Sequence, residues 1–319
     1  MDLQQFIPLW ESDTKKAVRT WDFEEKWRAF HTPNGRLMSC AHRGDRNQLY
    51  PENSLEAFCS AILAGADILE ADIRVTRDGV PIVMHDSTLT RTTTLSALRA
   101  AGEARLPESD RVADWTAAEI ARLRVILPNG TPTDCHIPTL EELILLSKDR
   151  CFITLDKAGN ADTPEDDPCF CFEARVLPLI EKHSAWRTVL VPYEYKFERV
   201  LAIQQMIKDK CGHCAPYFAK ATGNGKMEVE RIERAVRFVQ EQGIAPILRS
   251  GEFDPENTAV NGFLRERIGG SYRFYAESLR EGHDNEENWR QMAANGCNIL
   301  MGNRNYELID FVRRYNGEP

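Results

Sequence analysis

Eight short apolar runs recur along this 319-residue chain with helical patterns between them, and that alternation constrains the fold more than any other feature. The runs are Leu37–Ala41, Ile68–Val75, Cys151–Leu155, Thr188–Tyr193, Cys214–Phe218, Ala245–Leu248, Arg273–Glu277 and Asn298–Met301. Helical patterns follow most of them, at Asn53–Leu63, Leu140–Ser147, Phe197–Lys208, Glu228–Glu241, Glu286–Ala294 and Glu307–Tyr315. Strands joined through helices run parallel, because each connection must cross back over a face of the sheet. Eight of them favour a closed (β/α)8 TIM barrel over an open sheet. The spacing thus predicts one barrel over residues 37–319, with residues 1–36, which carry Trp10, Trp21 and Trp27, as an N-terminal helical extension packed on it. Residues 87–136 break the rhythm and read as a small insertion after the second strand, over the C-terminal face where barrel sites lie. Asn53 followed by Glu56 reads as a capping box opening the first helix.

Charge and composition exclude several classes. A net charge of −9 argues against a nucleic-acid surface and gives no attraction to an anionic membrane. No apolar run approaches the roughly 18–20 residues of a membrane-spanning helix, so stable membrane insertion is not expected. The start, MDLQQFIPLWESDTKK, lacks a basic residue cluster followed by an apolar core, which points to a cytoplasmic protein. Nine cysteines, several within apolar runs (Cys40, Cys59, Cys151, Cys297), suit buried reduced thiols better than disulfides. Cys211-Gly-His-Cys214 resembles half of a metal or redox motif, without a matching second half.

The stretch ILEADIRVTRDGVPIVMHD, Ile68 to Asp86, puts charge where charge is expensive. Asp78-Gly79 signals a two-residue hairpin turn, which pairs Arg77 with Val80 and, further out, Asp72 with His85. Glu70 then shares a face with Asp72 by strand periodicity. Two carboxylates and an imidazole converge, unless they are a plain cross-strand ion pair on a solvated face.

Other strand ends add to the set. The first ends in Cys40-Ala41-His42-Arg43-Gly44 and the third in Thr154-Leu155-Asp156-Lys157. Glu70, Asp72 and Asp156 offer hard oxygen ligands, and three neighbouring carboxylates call for one divalent cation, Ca²⁺ or Mg²⁺ in preference to zinc. Arg43 and Lys157 point to an anionic substrate, and His42 with His85 to proton transfer in both directions. Glu52 and Asn53 are candidate substrate-binding residues or simply the helix cap. His31, His136, His183, His213 and His283 have no supporting sequence neighbours, and Trp289, Tyr193 and Tyr217 read as packing or rim residues.

The run AHRG…PENSLEAFCSAILAGADILEADIRVTRDGVPIVMHDSTLTRTT, Ala41 to Thr93, resembles the glycerophosphodiester phosphodiesterase family, and Ile137-Pro138-Thr139-Leu140-Glu141-Glu142 continues the likeness. The resemblance implies a metal-dependent barrel with a small inserted subdomain, hydrolysing glycerophosphodiesters, small-molecule phosphodiesters, to glycerol phosphate and an alcohol. It implies His42 and His85 as general base and acid, Glu70 and Asp72 as metal ligands, and Arg43 as a phosphate contact. Two places depart from it. Asp156 and Lys157 are adjacent where many members have Glu-x-Lys, and Met301-Gly302-Asn303-Arg304-Asn305 stands where Thr-Asp-x-Pro is common. The alternatives are a phospholipase D-like activity on lysophospholipids and a catalytically silent phosphodiester-binding barrel.

Overall fold

The computed structural model describes residues 22–32, 35–46, 49–158, 171–190, 197–212, 218–220, 237, 240–241, 247–252, 273–280 and 282–318. The strands are β1 (Met38–His42), β2 (Ile68–Val75), β3 (Pro81–Val83), β4 (Phe152–Ala158), β5 (Phe218–Lys220), β6 (Ile247–Glu252), β7 (Arg273–Ser278) and β8 (Ile299–Gly302). They form an eight-stranded sheet in the order β3-β2-β1-β8-β7-β6-β5, with β4 also paired to β2. Among the described residues every ladder is parallel except β2–β3, and a parallel bridge from Ile153 to Val189 extends the sheet beyond β4. This is a TIM-barrel-like α/β arrangement in which β1 sits between β2 and β8. Among the described residues no ladder joins Val189 to β5. The expected strands at Thr188–Tyr193, Cys214–Phe218 and Ala245–Leu248 fall partly outside those residues. So do Trp10, Trp21, Tyr193, His213, Cys214, Tyr217 and most of the Glu228–Glu241 helix.

The helices start where the sequence can satisfy free backbone N–H groups. α1 (Phe23–His31) is capped by Asp22, and α2 (Leu55–Ala64) by Ser54, with Gly65 in the left-handed conformation closing its C-terminus. α3 (Leu95–Ala100) and α4 (Ala117–Ile120) belong to the insertion, α4 carrying a capping box of Thr116 and Glu119. α5 (Leu140–Ser147) has a second such box, Thr139 with Glu142. α6 (Leu177–His183), α7 (Phe197–Cys211), α8 (Glu286–Ala294) and α9 (Asn305–Tyr315) complete the described set. The cap expected at Asn53 is moved by one residue: Ser54 accepts from the Ala57 amide, which releases Asn53 for another task.

Among the described residues, three apolar clusters hold the fold. The main one lies between the sheet and α2, α5, α6 and α9. A second closes the N-terminal mouth of the strands, where Phe23 and Phe30 of α1 stack on Phe152 at 5.3 and 4.6 Å. The buried Lys26 ammonium is held there by the Ala66 and Arg150 carbonyls at 2.5 and 2.9 Å. The third is the insertion's own core around Trp115, Leu89, Leu95 and Leu123, which packs on Ile82 and Met84. β3 alternates accordingly, sending Val83 to the main core and Ile82 to the insertion.

The hairpin register differs from the sequence expectation. Ile73 pairs with Val83, Arg74 with Ile82 and Val75 with Pro81, and the Met84 amide donates to the Asp72 carbonyl at 2.8 Å. Asp72 therefore faces Met84 and not His85. A two-residue Asp-Gly turn needs positive φ at both central residues, but only Gly79 has it (φ 81°). The loop is instead Arg77-Asp78-Gly79, closed by the Thr76 amide on the Val80 carbonyl at 3.0 Å and by Thr76 Oγ1 accepting from Val80 N at 3.0 Å.

Candidate active site

Parallel register brings the polar strand ends level. His42 of β1 lies beside Glu70 of β2, and Asp72 of β2 beside Asp156 of β4. Glu70 and Asp72 are two residues apart on one strand and so share a face. One carboxylate oxygen from each of Glu70, Asp72 and Asp156 lies within 4.8 Å of the others. Glu70 and Asp72 are buried and Asp156 is half-buried. Three oxygen donors at this spacing, two of them shielded from water, suit a hard divalent cation, and this trio could hold one.

Arg43 reaches the trio at Asp72, and Glu52 gathers Arg43, Arg46 and Arg91 beside it. Arg43 Nε lies 3.2 Å from Asp72 Oδ2, and Arg43 Nη1 donates to Glu52 Oε1 at 3.1 Å. Glu52 also accepts from Arg46 at 3.0 Å and from Arg91 at 2.7 Å. Burial works to raise the Glu52 carboxyl, but the three guanidiniums outweigh it and hold it below its ordinary range. Asn53 Nδ2 donates to Asp72 Oδ2 at 3.0 Å. Arg43 and Asn53 both have left-handed backbone, with φ of 59° and 57°, and the Asn53 amide donates to the Arg43 carbonyl at 3.0 Å. Non-glycine residues persist there only where the surroundings over-determine them, and both positions face the acidic trio.

The two histidines occupy different surroundings. His42 is buried, with Nε2 3.8 Å from Glu70 Oε2 and Nδ1 2.6 Å from Asn303 Oδ1. Burial, reinforced by the Arg43 charge, takes its imidazole down to about 3, so it is neutral at pH 7. His85 shares a cleft with Glu52 and Asn53, and its Nδ1 lies 2.6 Å from Asp86 Oδ1. Arg91 grips Asp86 at 2.6 and 2.9 Å and joins it to Glu52. His85 does not face Asp72 across the hairpin; Asn53, which donates to Asp72, lines the cleft that His85 shares. Lys157 is the extra residue of a bulge where Asp72 pairs Asp156 and Ile73 pairs Ala158.

Several residues of the site carry no sequence signal strong enough to single them out. Asp86 and Arg91 hold His85 and Glu52, and Asn303 and Asn305 hold His42. An aspartate directly after His85 was the available cue for Asp86. For the asparagines it was the departure at Gly302-Asn303-Arg304-Asn305. His136 and His183 do have partners, Glu142 at 3.0 Å and Glu141 at 2.6 Å, both away from the trio. Trp289 is buried, and its indole N–H donates to Ser278 and Asp284.

Comparison with known proteins follows the same residues. The model of the glycerophosphoryl diester phosphodiesterase family matches residues 42–195, from the first histidine past β4. YqiK of Bacillus subtilis, described as uncharacterised, is 30% identical over 181 residues, covering 51% of this chain and 70% of that protein. The chain belongs to the glycerophosphoryl diester phosphodiesterase family. Mouse glycerophosphodiester phosphodiesterase 1 is 36% identical over 135 residues, 41% of this chain. The chain spans about a third of that relative, 36% of its length. A solved glycerophosphoryl diester phosphodiesterase from Parabacteroides distasonis superposes with a TM-score of 0.64 at 22% identity, over 94% of each chain. That likeness extends the shared fold to the C-terminal strands, beyond the family match. Among the described residues no helix is long and apolar enough to cross a membrane.

Proposed function

We propose that this chain hydrolyses glycerophosphodiesters to glycerol phosphate and an alcohol, with one Ca²⁺ or Mg²⁺ held by Glu70, Asp72 and Asp156. The observation that carries the reading is the meeting of these three carboxylates within 4.8 Å, beside His42 Nε2 at 3.8 Å from Glu70. When bound, the cation supplies positive charge for a non-bridging phosphate oxygen. Arg43 adds a planar donor pair to the same phosphate, and Lys157, in the bulge beside Asp156, a second cation. Neutral His42 is the general base, taking a proton from water or from the substrate's own glycerol hydroxyl. His85 is the general acid. Asp86 takes its Nδ1–H, which leaves Nε2 for the leaving oxygen. Glu52 and Asn53 order the arginine and Asp72 around the substrate, and Asn53 also lines the cleft of His85. We read residues 37–319 as one barrel with the 87–136 insertion, and residues 1–36 as an extension. Among the described residues, six buried free thiols (Cys40, Cys59, Cys135, Cys151, Cys171, Cys297) support a reducing, cytoplasmic setting.

The test is release of glycerol 3-phosphate from a panel of glycerophosphodiesters, with chelator and with added metals. Chelation is expected to abolish release, and Ca²⁺ or Mg²⁺ to restore it better than Zn²⁺. Restoration by Zn²⁺ alone would overturn the hard-cation assignment. No release from any substrate with metal present would favour a binding barrel.

A further inference from the structure

The turn after β8 grips His42 from two sides. Asn305 Oδ1 accepts from the His42 amide at 3.1 Å, and its Nδ2 donates back to the His42 carbonyl at 3.2 Å. Asn303 reaches the ring itself, with Oδ1 2.6 Å from Nδ1. The orientation of that amide is settled by its other end, because Asn303 Nδ2 faces the Leu279 carbonyl at 3.2 Å. A carbonyl can only accept, so nitrogen must face Leu279 and oxygen must face the imidazole. An amide oxygen against a ring nitrogen requires a hydrogen on that nitrogen. With that hydrogen on Nδ1, Nε2 is the ring atom left to take a proton, and it is turned toward Glu70.

The turn that carries Asn303 is itself fixed. Asp284 Oδ2 accepts from the amides of Asn303 and Arg304, both at 2.6 Å. Its other oxygen accepts from Ser278 Oγ at 3.2 Å and from Trp289 Nε1 at 3.1 Å. The carboxylate lies so close over the strand end that any Cβ at Gly302 would run into it.

We propose that Asn303 is a positioning residue that locks His42 as the Nδ1–H tautomer and so presents Nε2 as the proton acceptor. The role as base rests on the function proposed above; the tautomer does not. An amide achieves this without adding a fourth carboxylate beside Glu70, Asp72 and Asp156, where a further negative charge would meet three others.

The test is ¹⁵N NMR of the full chain with labelled histidine at pH 7.5, with and without Mg²⁺. The parent is expected to show His42 Nδ1 as the protonated ring nitrogen and Nε2 as the bare one. Asn303→Leu, similar in size but without an acceptor, is expected to shift the ring toward Nε2–H. Its kcat should fall roughly 10²–10⁴-fold with little change in KM, the scale for a base that is absent or in the wrong tautomer. Asn303→Asp, which keeps an acceptor, should restore the Nδ1–H signature. A parent with Nε2–H, or Asn303→Leu with the parent's signature, overturns the proposal. If the parent shows Nδ1–H yet releases no glycerol phosphate, the locking stands and the reaction falls.

Discussion

Gly44 follows the strained Arg43, and replacing it with alanine tests how closely the β1 loop is wedged against α2. Its φ is 77°, and an added Cβ would lie 2.7 Å from the Ala57 carbonyl carbon, 2.8 Å from Phe58 N and 2.9 Å from Ala57 Cβ. The first two are backbone atoms in the opening turns of α2 and cannot swing aside. The left-handed conformation alone costs an alanine about 1–2 kcal/mol. Overpacking against fixed atoms adds about 1–3 kcal/mol, for a total of about 2–5 kcal/mol. Gly79 in the hairpin loop is the built-in control. Its φ is 81°, but the three atoms nearest an added Cβ there all belong to the Arg175 guanidinium, 2.9 Å away at the end of a flexible side chain. Gly79→Ala should therefore cost only the conformational part, about 1–2 kcal/mol. Urea denaturation separates the two. Turnover adds a second axis, since relief at Gly44 must shift Arg43, whose carbonyl holds Asn53 and whose amide meets Glu70. Displacement near 1 Å in such a set can cost about 10²-fold in kcat/KM. If Gly44→Ala is no less stable than Gly79→Ala, the wedge against α2 is not there.

His42→Ala and His85→Ala are each expected to slow glycerol 3-phosphate release roughly 10²–10⁴-fold. Their double mutant should lose less than the product, because both act in one reaction; fully multiplicative losses would show that they do not. Asp156→Asn keeps the shape and removes one charge of the trio. Calorimetric titration should find weakened Ca²⁺ or Mg²⁺ binding with activity partly regained at high metal, and unchanged affinity would remove Asp156 from the ligand set. The pair of His136 and Glu142 should give a pH-dependent stability. Their hydrogen bond takes the Glu142 carboxyl down to about 2 and raises the His136 imidazole above 6.5. The glutamate's share is present above 4.5 and lost as pH falls toward 2. The histidine's share is full below 6.5 and lost as pH rises through its raised value. A double-mutant cycle should give the largest coupling between those limits, about 0.5–1 kcal/mol for so exposed a pair. Equal coupling at pH 5.5 and at pH 9 would refute that reading.

Strand periodicity made much of this legible, and chemistry that depends on turns did not. Glu70 and Asp72 share a face because side chains alternate. His42 and Asp156 come level with them because parallel strands end on the same side, so all four could be found along the chain. The Asp72–His85 contact was misplaced because the Asp-Gly signal does not tell a two-residue loop from a three-residue one. One residue of difference moves every pairing. The sequence leaves Asn53 open between a cap and a substrate-binding residue because asparagine caps helices well; nothing local shows that Ser54 takes the cap. Asn303 and Asp284 stayed hidden because they act through a turn of the last βα unit on a histidine some 260 positions earlier, and one sequence carries no mark of so distant a contact.

Because β1 lies between β2 and β8, the two halves of the site have different dates of birth on the ribosome. Everything needed to gather Glu70, Asp72 and Asp156 has emerged once β4 is made. The amide of His42, made earlier still, has no acceptor until Asn305 leaves the exit tunnel. That N–H is therefore a natural clock. In pulse-labelled exchange during refolding its deuterium should be retained only when the last strand and α9 have docked, whatever the protection already gained by the amides of β2 and β4.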